Sequence, residues 1–525
     1  MRQPEKYRGS PHSTLTTLAS SLSATLAAAL FLFGCSGAPH PAPGDVTFVI
    51  ESMPANLDPR IGTDFASERL DGLLFDSLVQ RDAQMNVAPD LAASWEQPDP
   101  TTYVFHLRHD VRFHDGRALT SADVKFTFDS IISGAITTSK RGAFKSVTAI
   151  ETPDPYTVIV RMSSISTSFL WDISRPAVGI VPQGAGTGFA QHPIGTGPFR
   201  FESSAQDDNV VFARNPDYFG GAPQINEVHF RIVPDAIVRA LELRKGTADL
   251  EMTSLSPDMV PVLARNSGIA VTEEPGTNYQ YLAFNFDNSV LAHREVRQAL
   301  AYATDRASIV QYLLRGQARL ADGLLPPGNW AAAPNLPTYP YDPARAEQLL
   351  DAAGFPRRAN MGGIRLQLTL KTSTEESARL LGEVLREQWR KVGVDLELRT
   401  LEFGTLYSDI TQGNFEMYTL RWIGVNNDPS VFQFAFESDH MPPAGANRGH
   451  YRNPQLDALV AQASAEPDIE KRKALYIQVQ RIIAEDLPYI SLWFTDNICV
   501  HRTRITGIEL SPAGNYDFLC AIRAN

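Results

Sequence analysis

The sequence is poor in cysteine, with three in 525 residues, at positions 35, 499 and 520. No group of cysteines has the spacing of a structural zinc site, which draws its four ligands from closely spaced pairs. Cys499 and Cys520 are 21 positions apart. In an oxidising compartment these two either pair or remain free buried thiols, and the sequence leaves both alternatives open.

Basic residues are in deficit: 47 Lys and Arg stand against 59 Asp and Glu, for a net charge of −12. No basic stripe interrupts this balance, so nucleic acid is not an expected partner. Motifs of hydrolases are also missing, since the chain has no G-x-S-x-G and no H-E-x-x-H, and its 11 histidines are dispersed. These absences argue against an enzyme.

The N-terminus has the features of an export signal. Arg2, Lys6 and Arg8 precede the apolar run Leu26–Phe33, which is too short to span a bilayer but suits the core of a signal peptide. The following Gly34-Cys35 completes a sequence that resembles a bacterial lipobox. We expect a lipoprotein-type signal peptide over residues 1–35, lipid attachment at Cys35, and a periplasmic or cell-surface location. Cleavage without lipid is the alternative.

Residues 36–43 are rich in proline, glycine and alanine, which predicts a tether without a core of its own. Beyond it, strand and helix patterns alternate. Residues 364–372 alternate as a strand, 375–391 carry an apolar helical stripe, and 394–403 alternate again. This is a βαβ unit, which places the chain in the α/β class.

Two further segments have a chemical and a structural interpretation. The cluster of possible metal ligands consists of His106, His109, Asp110, His114 and Asp115. Its residues fall on a strand and a turn, so we interpret it as scaffold. The segment "HPIGTGPF", residues 192–199, lacks the lysine and helix of a phosphate loop, and its glycines indicate close backbone approach. We expect no metal and no other cofactor.

Six segments, taken in chain order, carry a family resemblance. They are "APDLAASWEQPDPTTYVFHLRHDVRFHDGRALTSADVKFTFD", "HPIGTGPFRF", "RNPDYFGGAPQINEVHFRIVPD", "YLAFNFDNSVLAHREVRQALAYATDR", "YDPARAEQLLDAAGF" and "YRNPQLDALVAQA". In this order they resemble the solute-binding proteins of ABC importers, family 5, the peptide/nickel-binding class known as cluster C, which includes dipeptide- and oligopeptide-binding proteins. The resemblance covers the chain from residue 44 to its end.

The resemblance implies an α/β fold of the two-lobe, type II periplasmic-binding-protein kind. Lobe 1 would comprise residues 44–281 and 493–525, with an extra subdomain at about 79–192, and lobe 2 residues 282–492. Two crossings, near residues 279–286 and 489–497, would serve as hinges while the lobes move as bodies.

Two short loops are candidates for lining the cleft between the lobes. Thr63, Asp64 and Phe65 follow the first strand, and ligands of open α/β sheets lie beyond the carboxyl ends of the strands. The resemblance places this loop in the same way. Helix capping by Asp64 is the alternative. Asn278 and Tyr279 precede the first crossing, where an aromatic side chain can equally serve packing.

The stretch "TLRWIGVNNDPSVF", residues 419–432, departs from the family pattern. Relatives that bind peptides carry an aspartate two or three residues after the tryptophan, and it pairs with the peptide's α-ammonium. Trp422 is kept here, but residues 423–426 read Ile-Gly-Val-Asn. A desolvated cation without an opposite charge costs several kcal/mol. We therefore expect a solute that is not recognised through a free amine.

The same stretch supplies the remaining candidate ligand residues: Arg421, Trp422, Asn426, Asn427 and Asp428. Trp422 would pack on the solute, and the two asparagines would donate and accept hydrogen bonds. Arg421 either points outward and pairs with Glu416 or another acid, or faces the cleft and suits a carboxylate or phosphate. Asp428 precedes a proline and equally forms a turn.

The function these features predict is that of an extracytoplasmic solute-binding protein of an ABC importer. It would capture a peptide-like or other polar solute and deliver it to a permease/ATPase complex, as a monomer held to the membrane by its N-terminal lipid. The alternatives are an exported, lipid-anchored receptor or scaffold that uses the fold without transport, and an exported hydrolase.

Overall fold

The computed structural model describes residues 43–62, 64–82, 85–174, 178–252, 255–424 and 428–525. Thr63, Asn426, Asn427, Cys35, the expected signal peptide and most of the tether lie outside the described residues. Pro43–Asn525 form one compact unit. In the described part of the chain no helix combines the length and the apolar character needed to cross a membrane.

Most strands belong to one mixed sheet that runs through both halves of the molecule. In chain order the strands are β1 (Val46–Ile50), β2 (Val79–Arg81), β3 (Val87–Pro89), β4 (Ala92–Asp99), β5 (Thr102–Leu107), β6 (Val147–Asp154), β7 (Thr157–Met162), β8 (Phe199–Ala205), β9 (Asn209–Arg214), β10 (Glu227–Ile232), β11 (Leu250–Met252), β12 (Ile269–Phe284), β13 (Ala318–Leu320), β14 (Leu366–Ser373), β15 (Val394–Leu401), β16 (Met417–Trp422), β17 (Tyr489–Arg502), β18 (Ile505–Thr506) and β19 (Arg523–Ala524).

Helices connect and pack against the strands of this sheet and of a smaller, separate sheet. They are α1 (Phe65–Leu74), α2 (Ser121–Ile132), α3 (Phe169–Asp172), α4 (Ala236–Lys245), α5 (Met259–Ala264), α6 (Arg294–Tyr302), α7 (Arg306–Ser308), α8 (Pro343–Ala352), α9 (Glu376–Arg390), α10 (Phe403–Thr411), α11 (Val431–Phe436), α12 (Pro454–Ala465) and α13 (Ile469–Asp486). At the start of helix α8, Asp342 caps the first turn and Pro343 occupies the first helical position, where proline is favoured.

The two longest strands, β12 and β17, pair antiparallel at the centre of the sheet, whose order is β15-β14-β16-β12-β17-β11-β1-β10-β9-β8. One half of this pair neighbours β11 and β1, and the other half neighbours β16 and β14. Their pairing shifts register between Glu274 and Asn278 and again at Gln280. The second shift lies within the expected crossings near residues 279–286 and 489–497, and hinge motion there stays a prediction.

The predicted βαβ unit of the second half is present. Strands β14 and β15 are parallel, with Leu366 opposite Val394, and α9 joins them. Leu381, Leu385 and Trp389 of α9 are buried against the sheet. The alternation and the stripe read from the sequence therefore correspond to the side chains that the structure buries.

A separate four-stranded sheet, in the order β4-β5-β7-β6, lies within residues 92–162 and has its own hydrophobic core. The segment "HPIGTGPF" returns from it to the main sheet. A Cβ atom on Gly195 would lie 1.9 Å from the carbonyl oxygen of Leu74, and one on Gly197 would lie 2.5 Å from the Leu74 carbonyl carbon. The close backbone approach predicted from these glycines is confirmed.

The two C-terminal cysteines are both free thiols in the structure. Cys499 is fully buried in β17, and Cys520 is partly buried against the same core. Burial raises the pKa of Cys520 to about 12. Of the two alternatives that the sequence left open, the structure therefore has the unpaired one.

Candidate functional site

Aromatic side chains are exposed at one edge of the second half, where the parallel strands β14, β15 and β16 end. Phe403 and Tyr407 in α10, after β15, are 55% and 43% exposed, and Phe434 in α11, after β16, is 40% exposed. The rings of Phe403 and Tyr407 stack with centroids 6.0 Å apart. We call this surface the lobe-2 wall. It lies beyond the carboxyl ends of the strands, where open α/β sheets bind ligands.

Trp422 lies at the end of β16, beneath the exposed rings of the lobe-2 wall, and is 7% exposed. Its ring stacks on Tyr281 of β12 with centroids 6.1 Å apart, and meets the ring of Phe434 edge-on at the same distance. The guanidinium of Arg448 lies 5.4 Å from the centroid of the Trp422 ring. The indole nitrogen is buried without a hydrogen-bond acceptor among the described residues.

The first half has a matching surface, the lobe-1 wall, at the carboxyl ends of β1 and β11 and the start of α1. Phe65, 36% exposed, lies over the guanidinium of Arg69 at 3.6 Å from its ring centroid. Tyr516 flanks the same guanidinium at 4.8 Å and accepts a hydrogen bond from Nη1 at 3.2 Å. These side chains, with Glu51 and others, line an open cavity of about 410 Å³.

Asp64 caps helix α1. Its carboxylate accepts hydrogen bonds from the backbone N–H of Ser67 at 3.0 Å and of Ala55 at 3.3 Å. The capping alternative is therefore observed, and a contact of Asp64 with solute stays a prediction. Phe65, the next residue, is the member of this loop whose side chain the structure exposes on the lobe-1 wall.

The candidate cleft residues Asn278 and Tyr279 both lie in β12, but their environments differ. Asn278 is partly exposed and lies opposite Thr495 across the strand pair. Tyr279 is 1% exposed, and its hydroxyl donates to Ser491 Oγ at 2.6 Å. Tyr279 packs in a hydrophobic core cluster of the second half, and a contact of its side chain with solute stays a prediction.

Arg421 alternates with Trp422 along β16 and points to the opposite face of the sheet. Its Nη2 lies 3.0 Å from Glu375 Oε2, and both side chains are exposed. The outward-pointing alternative is therefore observed, with Glu375 as the acid instead of Glu416, whose carboxylate accepts the backbone N–H of Thr369 at 2.6 Å and the amide of Asn288 at 3.0 Å. Arg421 reaches Glu375 because Glu375 follows β14, the parallel neighbour of β16.

Asp428 forms the turn that its position before Pro429 allows. Its carboxylate accepts the backbone N–H of Ser430 at 2.8 Å. Burial raises the pKa of Asp428, and this hydrogen bond opposes the shift. The turn is thus observed, and a contact with solute is not excluded by it. Asn426 and Asn427, directly before it, lie outside the described residues.

The possible metal ligands of the N-terminal half have structural partners. His109 stacks on Tyr156 with centroids 3.9 Å apart, and His106 lies 3.3 Å from Glu96. His114 bonds to the backbone of the "HPIGTGPF" segment through both ring nitrogens. Burial lowers the pKa of His114 to about 4. These contacts support the scaffold interpretation of this cluster.

Within the described residues, one group of three possible metal ligands has its ligand atoms within 4.8 Å of one another: Asp45, Glu227 and His229. It lies where β1 and β10 begin, at the opposite end of the strands from the lobe-1 wall.

Sequence reasoning missed two arginines at the walls, Arg69 and Arg448. Arg69 had a signal: it lies four residues before Leu73 on the buried face of α1, where a charged residue is unusual. Arg448 had none, because it lies in an irregular segment between α11 and α12. Tyr407 and Phe434 were also missed, since an exposed ring on a helix becomes meaningful only beside its neighbours.

Comparison with known proteins identifies relatives over most of the chain. Residues 86–440 match the family described as bacterial extracellular solute-binding proteins, family 5 middle. A putative ABC transporter peptide-binding protein of Brucella ovis is 30% identical over 465 residues, 84% of this chain and 85% of the relative. The dipeptide-binding protein of Escherichia coli is 27% identical over 507 residues, 90% and 93% of the two chains.

Among solved structures, NikA from Brucella suis in complex with Fe(III)-EDTA superposes with a TM-score of 0.84 at 25% identity, covering 92% of this chain and all of that one. The comparisons support solute binding for import over the receptor or hydrolase alternatives. The chain belongs to the family 5 bacterial extracellular solute-binding proteins, has their type II periplasmic-binding-protein fold, and serves as the solute-binding component of an ABC importer.

Proposed function

We propose that this protein captures a small polar solute, peptide-like or otherwise, by closing the lobe-1 and lobe-2 walls over it, and that the closed monomer then docks on its permease. Relatives are named as peptide-binding proteins, and the NikA structure contains a metal chelate. From these relatives we infer a small polar ligand, whose identity is to be determined by experiment.

The observation that carries the proposal is the presence of exposed aromatic rings on a wall in each half of the molecule. Phe65 in the first half and Phe403, Tyr407 and Phe434 in the second are exposed although each is large and apolar. Clustered exposed rings of this kind mark a binding surface. A solute that contacts both walls binds the closed form better than the open form, and that difference in affinity is what shifts the lobes toward closure.

The charges at the walls support a solute recognised without a free amine. The sequence places no acid at residues 423–427. Among the acids at or beside the walls, Glu375 is paired with Arg421, Glu51 is exposed to water, and Asp428 accepts the backbone N–H of Ser430. None of the three is a free, desolvated carboxylate of the kind that a buried ammonium requires. Thr63, Asn278, Asn426 and Asn427 remain the proposed neutral hydrogen-bonding groups.

Identification of the bound compound tests this function. We expect mass spectrometry of the purified, heat-denatured protein to detect a released small polar compound, and re-addition of that compound to raise the unfolding temperature of ligand-free protein. If the compound carries an amine, its N-acetylated form is expected to bind as well. Recovery of no compound from freshly purified protein, or loss of binding on N-acetylation, would contradict the proposal.

We further propose that the protein is held at the membrane by lipid on Cys35. Support comes from the basic start, the short apolar run and the cysteine that follows it. One acyl group alone binds membranes weakly, so a lipoprotein needs the full modification for stable attachment. We expect Cys35→Ser to move the exported protein from the membrane pellet to the soluble fraction, measured by immunoblot. Unchanged retention in the pellet would count against a lipid anchor.

A further inference from the structure

The segment between α11 and α12 places an arginine beneath the exposed rings of the lobe-2 wall. Arg448 is 8% exposed. Its guanidinium lies 5.3 Å from the ring centroid of Tyr407 and 5.4 Å from that of Trp422, and Nη2 donates to the Tyr407 hydroxyl at 3.1 Å. The guanidinium thus lies between one exposed and one buried ring of the wall.

The positive charge of Arg448 has no acidic partner among the described residues. The ionisable groups that interact with it most strongly are tyrosines: Tyr281, Tyr418, Tyr489 and Tyr407. Burial raises the pKa of Tyr281 and of Tyr489 well above the ordinary tyrosine value, so both hydroxyls stay neutral. Burial of a guanidinium is unfavourable unless another group supplies the opposite charge.

Two exposed arginines of this half differ in this respect. Exposed Arg421 pairs with Glu375, and exposed Arg452 lies 3.7 Å from Asp287. These two hydrated cations have carboxylate partners, whereas the described side chains that contact the Arg448 guanidinium are neutral aromatic ones.

The backbone holds Arg448 in a fixed position. The side-chain amide of Asn447 donates to the carbonyl oxygens of Tyr451 at 2.7 Å and Glu437 at 3.1 Å. The next residue, Gly449, packs directly on β12: a Cβ atom there would lie 2.4 Å from the carbonyl oxygen of Phe284, and its own carbonyl accepts the N–H of Phe286 at 2.8 Å. Rigid support of this kind is typical of recognition groups.

We propose that Arg448 binds a carboxylate of the captured solute, so that this importer component takes carboxylic acids whose amino end, if present, is not required. The proposal deepens the proposed function and rests on it. A planar guanidinium donates two parallel hydrogen bonds to a carboxylate, and the ring of Tyr407 covers the pair from water when the lobes close. The solute then supplies the charge that the protein lacks at this position.

Calorimetry with four probes and four proteins tests the assignment. The probes are N-acetyl-Ala-Ala, its C-terminal amide, Ala-Ala amide and maltose, so that a carboxylate, an amine and a neutral polar surface are separated. The proteins are the wild type, Arg448→Gln, Arg448→Lys and Arg421→Gln, each checked by circular dichroism and unfolding temperature. Arg421→Gln is the matched control, since it removes an arginine from the same edge that already has an acidic partner.

We expect the wild type to bind N-acetyl-Ala-Ala roughly tenfold to a hundredfold more tightly than its amide, the difference that a charge-assisted hydrogen bond supplies. Arg448→Gln should remove this preference, Arg448→Lys should retain part of it, and Arg421→Gln should leave it unchanged. The compound released from purified protein should itself carry a carboxylate.

Three results overturn the assignment: equal binding of the acid by the wild type and Arg448→Gln, preference of the wild type for Ala-Ala amide or maltose, and binding of none of the four probes. A folded Arg448→Gln variant that is only less stable, with the preference intact, shows a packing role. In each of these cases solute capture itself is judged separately, by the compound recovered from the wild type.

Discussion

Replacing Gly195 with alanine is expected to lower the free energy of unfolding by at least about 3 kcal/mol. The added methyl group would lie 1.9 Å from the carbonyl oxygen of Leu74 and 2.7 Å from Cδ1 of Phe75. A backbone carbonyl at the end of α1 cannot move aside as a flexible side chain does, so the return segment must shift. The shift would also strain the hydrogen bond that the Gly195 carbonyl accepts from the backbone N–H of His114 at 2.8 Å.

The measurement is urea-induced unfolding followed by far-ultraviolet circular dichroism, with Gly186→Ala as the matched control. Gly186 lies nine residues earlier in the same connection, and a Cβ atom there would have its nearest contact at 3.7 Å, with Gly184 O. The control should change stability by less than about 1 kcal/mol. Equal unfolding midpoints for the two variants would show that the contact between the return segment and α1 is not tight.

Close approach at Gly195 was predictable because glycine spacing, like hydrophobic periodicity, is a local property of the sequence. The βαβ unit of residues 366–401 was predictable for the same reason: alternation identifies the strands, and Leu381, Leu385 and Trp389 identify the buried face of the helix between them. Order of motifs along the chain then implied two lobes, and the comparisons confirm the fold. Such signals depend on neighbours in sequence.

The chemistry of the walls was less predictable because it depends on neighbours in space. Arg421 and Trp422 were found together as candidates, but strand alternation sends them to opposite faces, and only the pairing of β14 with β16 brings Glu375 to Arg421. Arg448 is 26 residues beyond Trp422 in an irregular segment, and no periodic pattern connects the two. The partner of a side chain across strands cannot be read from its own segment.

Replacing Trp422 with alanine is expected to weaken binding of the recovered solute by at least about thirtyfold, the range of a well-packed aromatic contact. The ring lies beneath the exposed rings of the lobe-2 wall and packs against the ring of Phe434, with centroids 6.1 Å apart. Its loss leaves a cavity beneath the solute and frees Arg448 from one of its two ring contacts. The same cavity should lower stability by about 3–5 kcal/mol.

Two further variants separate the effect on binding from the effect on stability. Trp389→Phe removes an indole that belongs to α9 and is fully buried against the sheet, away from the walls. Its N–H donates to Thr304 Oγ1 at 3.0 Å. This variant should reduce stability and leave affinity unchanged. Trp422→Phe keeps a ring at the wall and loses the indole N–H, which has no acceptor among the described residues. Its affinity should fall by less than about tenfold, the value of one neutral hydrogen bond, whereas an undiminished affinity of folded Trp422→Ala would place the solute elsewhere in the cleft.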